Sequence, residues 1–172
     1  MRLFTAIELP KEAADMITSA TSDLETLRWS NAEQLHITLC FLGNQPDNRF
    51  NDITDALSEV TFRPFQLKIT DIGWFRGGII YLKVERSSTL TELQRAMVNA
   101  LHQHDIHFDQ RKFIPHVTIA RTKGQPDAVQ LQHVASCLSN FSYVMDVNEF
   151  QLKSSILHEK GASHHTEGVF LP

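Results

Sequence analysis

Leu35-His36-Ile37-Thr38-Leu39 and Pro115-His116-Val117-Thr118-Ile119 repeat one pattern, His, apolar, Thr, apolar, with the two histidines 80 residues apart. The chain holds 9 His and is 42% hydrophobic, so roughly 0.1 occurrences are expected by chance and the odds of two are under about 1%. β-Branched and apolar residues in strict alternation make a strand. In a strand alternate side chains share a face, so His36 and Thr38 point one way while Ile37 and Leu39 enter a core. The second copy repeats this. Two such strands side by side would line one cleft with two imidazoles and two hydroxyls.

Period-two and period-3.6 segments alternate outward from these copies. Arg2 to Leu9 reads as a strand stopped by Pro10, and Pro10 suits the first turn of a helix running to about Leu27. Leu35 to Leu42 is a strand, and Arg49 to Val60 a helix with Phe50, Ile53, Ala56 and Leu57 on one face. Phe65 to Ile72 and Ile79 to Val84 form a hairpin. Ser88 to His104 is a helix that Ser88 or Thr89 can cap, with Leu90, Leu93, Met97 and Leu101 as its stripe. Pro115 to Arg121 is a strand, Pro126 to Leu138 a helix and Phe141 to Leu157 strand-rich. The tail Thr166 to Leu171 can close a sheet edge. Strands interleaved with helices give an α+β class.

At 172 residues the chain fits one domain, or two small lobes sharing a core. Its formal net charge of −4 excludes a protein that coats nucleic acid regardless of sequence. A short RNA end or a nucleotide needs only a few local cations and stays open. Cys40 and Cys137 make no disulfide framework and no metal-ligand spacing. No apolar run reaches the ~18 residues of a membrane helix. A monomer in a reducing cytoplasm, with no membrane association, is expected.

Two histidines facing one phosphorus suit proton transfer, because the ordinary imidazole pKa lies near neutrality. One would take a proton from attacking water while the other gives one to the departing oxygen. The threonine hydroxyls would donate to the non-bridging oxygens, and no metal or other cofactor is required. Residues alone leave open which histidine is acid and which is base. Cys40 shares the parity of His36 and Thr38 but has no separate base. His102, His104 and His107 read as a solvated helix end, and His164-His165 as a loop pair. Core packing is the expectation for Phe4, Trp29 and Phe41.

The paired motifs, the opening Arg2-Leu3-Phe4-Thr5-Ala6-Ile7-Glu8-Leu9-Pro10 and the segment Phe150-Gln151-Leu152-Lys153-Ser154 together resemble the two-histidine phosphoesterases. Within that superfamily they are most similar to the RNA 2′,3′-cyclic phosphodiesterases, also called 2′-5′ RNA ligases. The resemblance implies a bilobal fold of two mostly antiparallel sheets with flanking helices and pseudo-two-fold symmetry about a central cleft. It implies metal-free hydrolysis of RNA ends or nucleotides bearing a 2′,3′-cyclic phosphate to 2′-phosphomonoesters, and 2′-5′ ligation as the reverse reaction. Carried over, His36 is the proton donor and His116 the acceptor, with Thr38 and Thr118 holding the phosphate. Arg121 is similar to the family's motif-adjacent arginine and is a substrate-binding candidate. Five residues separate it from His116, so a regular strand would aim it away unless a bulge or strand end follows Ala120. The family's tail often carries Gly-x-x-Tyr, where this chain has Gly161-Ala162-Ser163-His164. The alternatives are a phosphodiesterase for another cyclic or 2′-5′ linked nucleotide, such as ADP-ribose cyclic phosphate, and a non-catalytic RNA-end binding module. No Gly-x-x-x-x-Gly-Lys-Ser/Thr sequence is present for ATP-driven ligation.

Overall fold

Two strand–helix–strand units carry the motifs in a computed structural model describing residues 1–172. The first is β1 (Arg2–Glu8), α1 (Lys11–Ala20) and, after the two-residue β2 (Arg28–Trp29), β3 (His36–Asn44). The second is β5 (Ile79–Val84), α3 (Ser88–Gln103) and β6 (His116–Arg121). Between them lie α2 (Phe50–Ser58) and β4 (Phe65–Phe75); α4 (Ala128–Cys137), β7 (Ser142–Val147), β8 (Phe150–His158) and β9 (Gly161–Phe170) follow.

All pairings are antiparallel, in the order β7-β4-β5-β6-β3-β1-β8-β9, with β2 also on β6. The order is pseudo-symmetric about its middle, since β6, β5, β4 and β7 run outward on one side as β3, β1, β8 and β9 do on the other. The two expected sheets are thus one hydrogen-bonded order. They are joined by a single register pair, Ile37 with Val117.

The helices cross this seam. Met97 of α3 lies against Thr5 of β1 (Sδ–Oγ1 2.9 Å) and Gln94 of α3 against Cys40 of β3. On the other side, Glu12 of α1 accepts a hydrogen bond from Tyr143 of β7 at 3.0 Å. One buried apolar cluster of 37 residues runs through both halves, from Leu3 and Ile37 to Ile80 and Val117.

Several helix limits differ from the sequence reading for local reasons. The first helix stops at Ala20, and residues 28–29 are drawn into the sheet beside β6. The cap of α3 is Ser87, whose hydroxyl accepts from the Leu90 N–H at 3.1 Å, and not Ser88 or Thr89. Asp127 and Gln130 form a reciprocal capping box that starts α4 at Ala128, two residues after Pro126.

Candidate active site

Ile37 and Val117 are both fully buried at the seam, so their neighbours on either side face the opposite way. Continuing that antiparallel register by one residue sets His36 opposite Thr118 and Thr38 opposite His116. The two histidines therefore occupy a diagonal, for which side-chain positions lie about 7–8 Å apart. The structure brings together the four motif residues expected from the sequence.

Each imidazole is held in the same manner. His36 Nδ1 lies 2.8 Å from the Gln34 carbonyl and His116 Nδ1 lies 2.6 Å from the Ile114 carbonyl, in both cases two residues back. A carbonyl only accepts, so Nδ1 carries the hydrogen in each ring and the neutral tautomer leaves Nε2 bare. Thr38 Oγ1 sits 3.1 Å from His36 Nε2 and donates to it in that state. Aromatic rings fix the planes: Phe4 and His164 at 5.1 and 5.2 Å from His36, and Phe75 and Tyr81 each at 5.1 Å from His116. Gly73, opposite Tyr81, makes room for that ring, since a Cβ there would stand 2.6 Å from it.

Both motif strands carry a bulge at the same place. Thr5 and Ala6 of β1 pair with Cys40 and Thr38, passing over Leu39. Ile80 and Tyr81 of β5 pair with Ala120 and Thr118, passing over Ile119. Each slip turns two successive residues to the core: Leu39 and Cys40 in one strand, Ile119 and Ala120 in the other. The alternation restarts one residue late. Arg121 thereby returns to the face of His116 and Thr118, with the slip falling just before Ala120. Phe41 is its counterpart in β3 and is exposed at the end of the cleft, not packed in the core.

The same slip overturns the parity placement of Cys40. Its thiol is buried beside α3, and burial pushes its pKa up to about 12. It does not share the cleft face with His36.

Polar residues from distant parts of the chain complete the site. Lys153, only 3% exposed, pairs with Glu8 and donates to Gln151 Oε1 (3.1 Å) and Thr166 Oγ1 (3.3 Å). His164 belongs to strand β9 and not to a loop, and its buried Nδ1 has no hydrogen-bond partner. Burial lowers the His36 pKa to about 4, helped by His164, Lys153 and His116 and opposed by the Gln34 carbonyl. His164 is lowered too, by burial and then by Lys153, Arg121 and His165. At the far end, Arg121 stands directly opposite Arg28. Burial, and then the Arg28 charge, makes the positive charge of Arg121 costly to hold without an anion. Neither Lys153 nor His164 could be placed by periodicity; the departure from Gly-x-x-Tyr was the one signal for His164.

His102, His104 and His107 lie outside this cleft. His102 stacks on Phe108 and His104 bonds Glu59 at 2.9 Å. Trp29 lies beside His133 of α4. No helix is long and apolar enough to cross a membrane.

Residues 9–155 match the family model described as the 2'-5' RNA ligase superfamily. An Archaeoglobus fulgidus protein named RNA 2',3'-cyclic phosphodiesterase is 30% identical over a 178-residue alignment, covering 99% of each chain. A Geobacillus stearothermophilus protein of the same name is 31% identical over 97% of this chain and 56% of its own length. Among solved structures, a Thermus thermophilus protein superposes with a TM-score of 0.82 at 22% identity, covering 99% of this chain and 97% of that one. Escherichia coli LigT complexed with 3'-AMP gives 0.81 at 23% identity over the same shares.

Proposed function

Because this chain belongs to the 2'-5' RNA ligase superfamily, we propose that it hydrolyses RNA 2′,3′-cyclic phosphodiester ends to 2′-phosphomonoesters. The observation that carries this reading is the pair of Nδ1-anchored imidazoles, on one diagonal of one strand pair, with a threonine opposite each. Phosphoryl transfer asks for little covalent help; it asks for positioning and for compensation of charge. The attacking water gives up a proton to one Nε2 as its oxygen bonds to phosphorus. The bond from phosphorus to the 3′-oxygen breaks, and that oxygen takes a proton from the other Nε2. Thr38, Thr118 and Arg121 hold the non-bridging oxygens. The reverse reaction, with an RNA 5′-hydroxyl in place of water, would form a 2′-5′ link. Residues 1–172 act as one two-lobed domain, a cytoplasmic monomer needing no metal or other cofactor.

As the family resemblance assigns them, His36 donates the proton and His116 accepts it. Burial keeps His36 neutral, so in this scheme the negative charge of the entering phosphodiester must raise its pKa enough for Nε2 to take up a proton from solvent. The low pKa of His36 favours a second reading in which the roles are exchanged and neutral His36 is the base. A substrate with a bridging 3′-sulfur separates the two, since a thiolate leaves without protonation. The variant lacking the acid regains activity on it; the variant lacking the base does not.

The primary test is a short RNA ending in a 2′,3′-cyclic phosphate, incubated in EDTA and followed by phosphorus NMR. A 2′-phosphate product is expected. His36→Ala and His116→Ala each lower kcat by roughly 10²–10⁴-fold, about 3–5 kcal/mol of barrier. Absolute dependence on a divalent metal, or a 3′-phosphate as the main product, would overturn the reading.

A further inference from the structure

Lys153 is the one charged residue buried in the molecule, and no step of the reaction touches it. Its ammonium has three N–H groups and three acceptors: a Glu8 carboxylate oxygen, Gln151 Oε1 at 3.1 Å and Thr166 Oγ1 at 3.3 Å. Gln151 also donates to the second Glu8 oxygen at 3.2 Å, so carboxylate and ammonium are held as one unit. A buried ion pair adds little to stability, because desolvation offsets the attraction. What it changes is the field at its neighbours.

The strand register places this unit around one ring. Glu8 of β1 stands directly opposite His36 of β3, where side-chain carbons lie about 4.5–5.5 Å apart. Lys153 of β8 stands opposite Phe4, whose ring packs on His36 at 5.1 Å. The ring of His164, from β9, meets Phe4 at 5.0 Å and His36 at 5.2 Å. His116 of β6 is the remaining titratable group that acts on His36. Both His36 nitrogens are engaged, Nδ1 by the Gln34 carbonyl and Nε2 by Thr38, so Glu8 makes no hydrogen bond to the ring. A lone carboxylate opposite an imidazole would favour the protonated ring. Here Lys153 matches that charge from the other side of β1. An adjoining cavity of about 450 Å³ is lined by Glu8, Lys153, His164 and Thr166. Of the other charged groups on it, Lys11 and Asp15 pair with each other and Glu33 is exposed.

We infer that Lys153, anchored by Glu8, is a positioning residue of the reaction: it acts through His36, out of reach of substrate, and decides which protonation state the empty cleft presents. The inference rests on the cyclic phosphodiesterase reading and adds to it a residue outside both motifs. Catalysis requires the two histidines to differ in protonation. With His36 resisting protonation until about pH 4, the acid limb of kcat/KM follows His36 whichever of the two roles it has.

The first measurement needs no substrate. The imidazole signals of His36, assigned by their loss in His36→Gln, are followed by NMR against pH, with a midpoint near pH 4 expected in the unaltered protein. Lys153→Met removes the opposing ammonium and frees Glu8, and raises that midpoint by about 1 pH unit or more. The acid limb of kcat/KM, on a short RNA ending in a 2′,3′-cyclic phosphate, rises by the same amount. Lys153→Arg keeps the charge, with the cavity giving room for the larger head, and leaves midpoint and limb in place. Should Lys153→Met fail to fold, Glu8→Gln combined with Lys153→Met removes both charges and still raises the midpoint, though by less. An unmoved midpoint in the folded variants would overturn the inference, as would a shift in Lys153→Arg equal to that in Lys153→Met. A kcat/KM lowered equally at every pH would do the same, since that is the mark of a merely structural lysine. A midpoint that moves as expected in a protein that hydrolyses no cyclic-phosphate RNA would instead sink the phosphodiesterase reading, and the reaction role of Lys153 with it.

Discussion

His36 and His116 are matched in sequence and in their Nδ1 anchors, yet their surroundings differ. His36 is packed between Phe4 and His164 with the buried ammonium of Lys153 near it, and this environment opposes a second positive charge. The imbalance has a consequence for stability. In the unfolded chain an imidazole takes up a proton near pH 6.5, while folded His36 resists protonation until about pH 4. Above pH 6.5 the residue is neutral in both states and contributes no pH dependence. As pH falls from 6.5 to 4 the unfolded state alone gains the proton, so stability falls, by about 3 kcal/mol in all, and levels off below pH 4. His36→Gln should flatten that part of the curve of denaturation midpoint against pH. An unchanged slope in the variant would mean that His36 titrates normally.

At the scale of elements, the bulges decide which residues reach the cleft, and neighbours outside the motifs hold them. The Cys40 N–H, at the slip in β3, donates to Thr5 Oγ1 at 3.0 Å. In β6 the carbonyl of Ile119 accepts from the Ser30 N–H at 2.9 Å, and Ser30 Oγ donates to the Thr118 carbonyl at 3.1 Å. Thr5→Val keeps the shape but leaves the buried Cys40 N–H without an acceptor, at a cost of about 1–3 kcal/mol. A drop in Tm of roughly 3–8 °C follows, largely restored by Thr5→Ser. A Val variant as stable as the parent would show that the bulge needs no such support. This is also where the sequence stopped being readable. His36, Thr38, His116 and Thr118 follow from period two alone. Phe41 and Arg121 stand five residues past their histidines, and their direction depends on a slip that only the register of the neighbouring strand reveals. Cys40 was misplaced by the same rule that placed Thr38 correctly.

For the molecule as a whole, class, strand–helix alternation and the pairing of two like units are legible in the pattern of apolar residues. What brings β8 and β9 beside the first unit is not, because the hairpin carries no copy of the motif and its contacts are with residues about 150 positions earlier. β1 is a central strand between β3 and β8, with Ala6 in register with Thr38 on one side and Gln151 on the other. During synthesis the ribosome delivers β1 long before its second neighbour, β8. Until Phe150–His158 emerges, a strand whose Leu3, Phe4, Thr5, Ala6 and Ile7 are all buried in the finished protein has one unsatisfied edge. A nascent chain at residue 147 already possesses both histidines and both threonines, yet it presents the edge that invites intermolecular pairing. Expression of residues 1–147 should therefore yield insoluble protein, and supplying residues 148–172 as a separate peptide during refolding should recover soluble material. A soluble, monomeric 1–147 fragment would show that β1 tolerates an open side. The hairpin of β8 and β9 thus acts, in the cell, as the release condition for a strand made long before it.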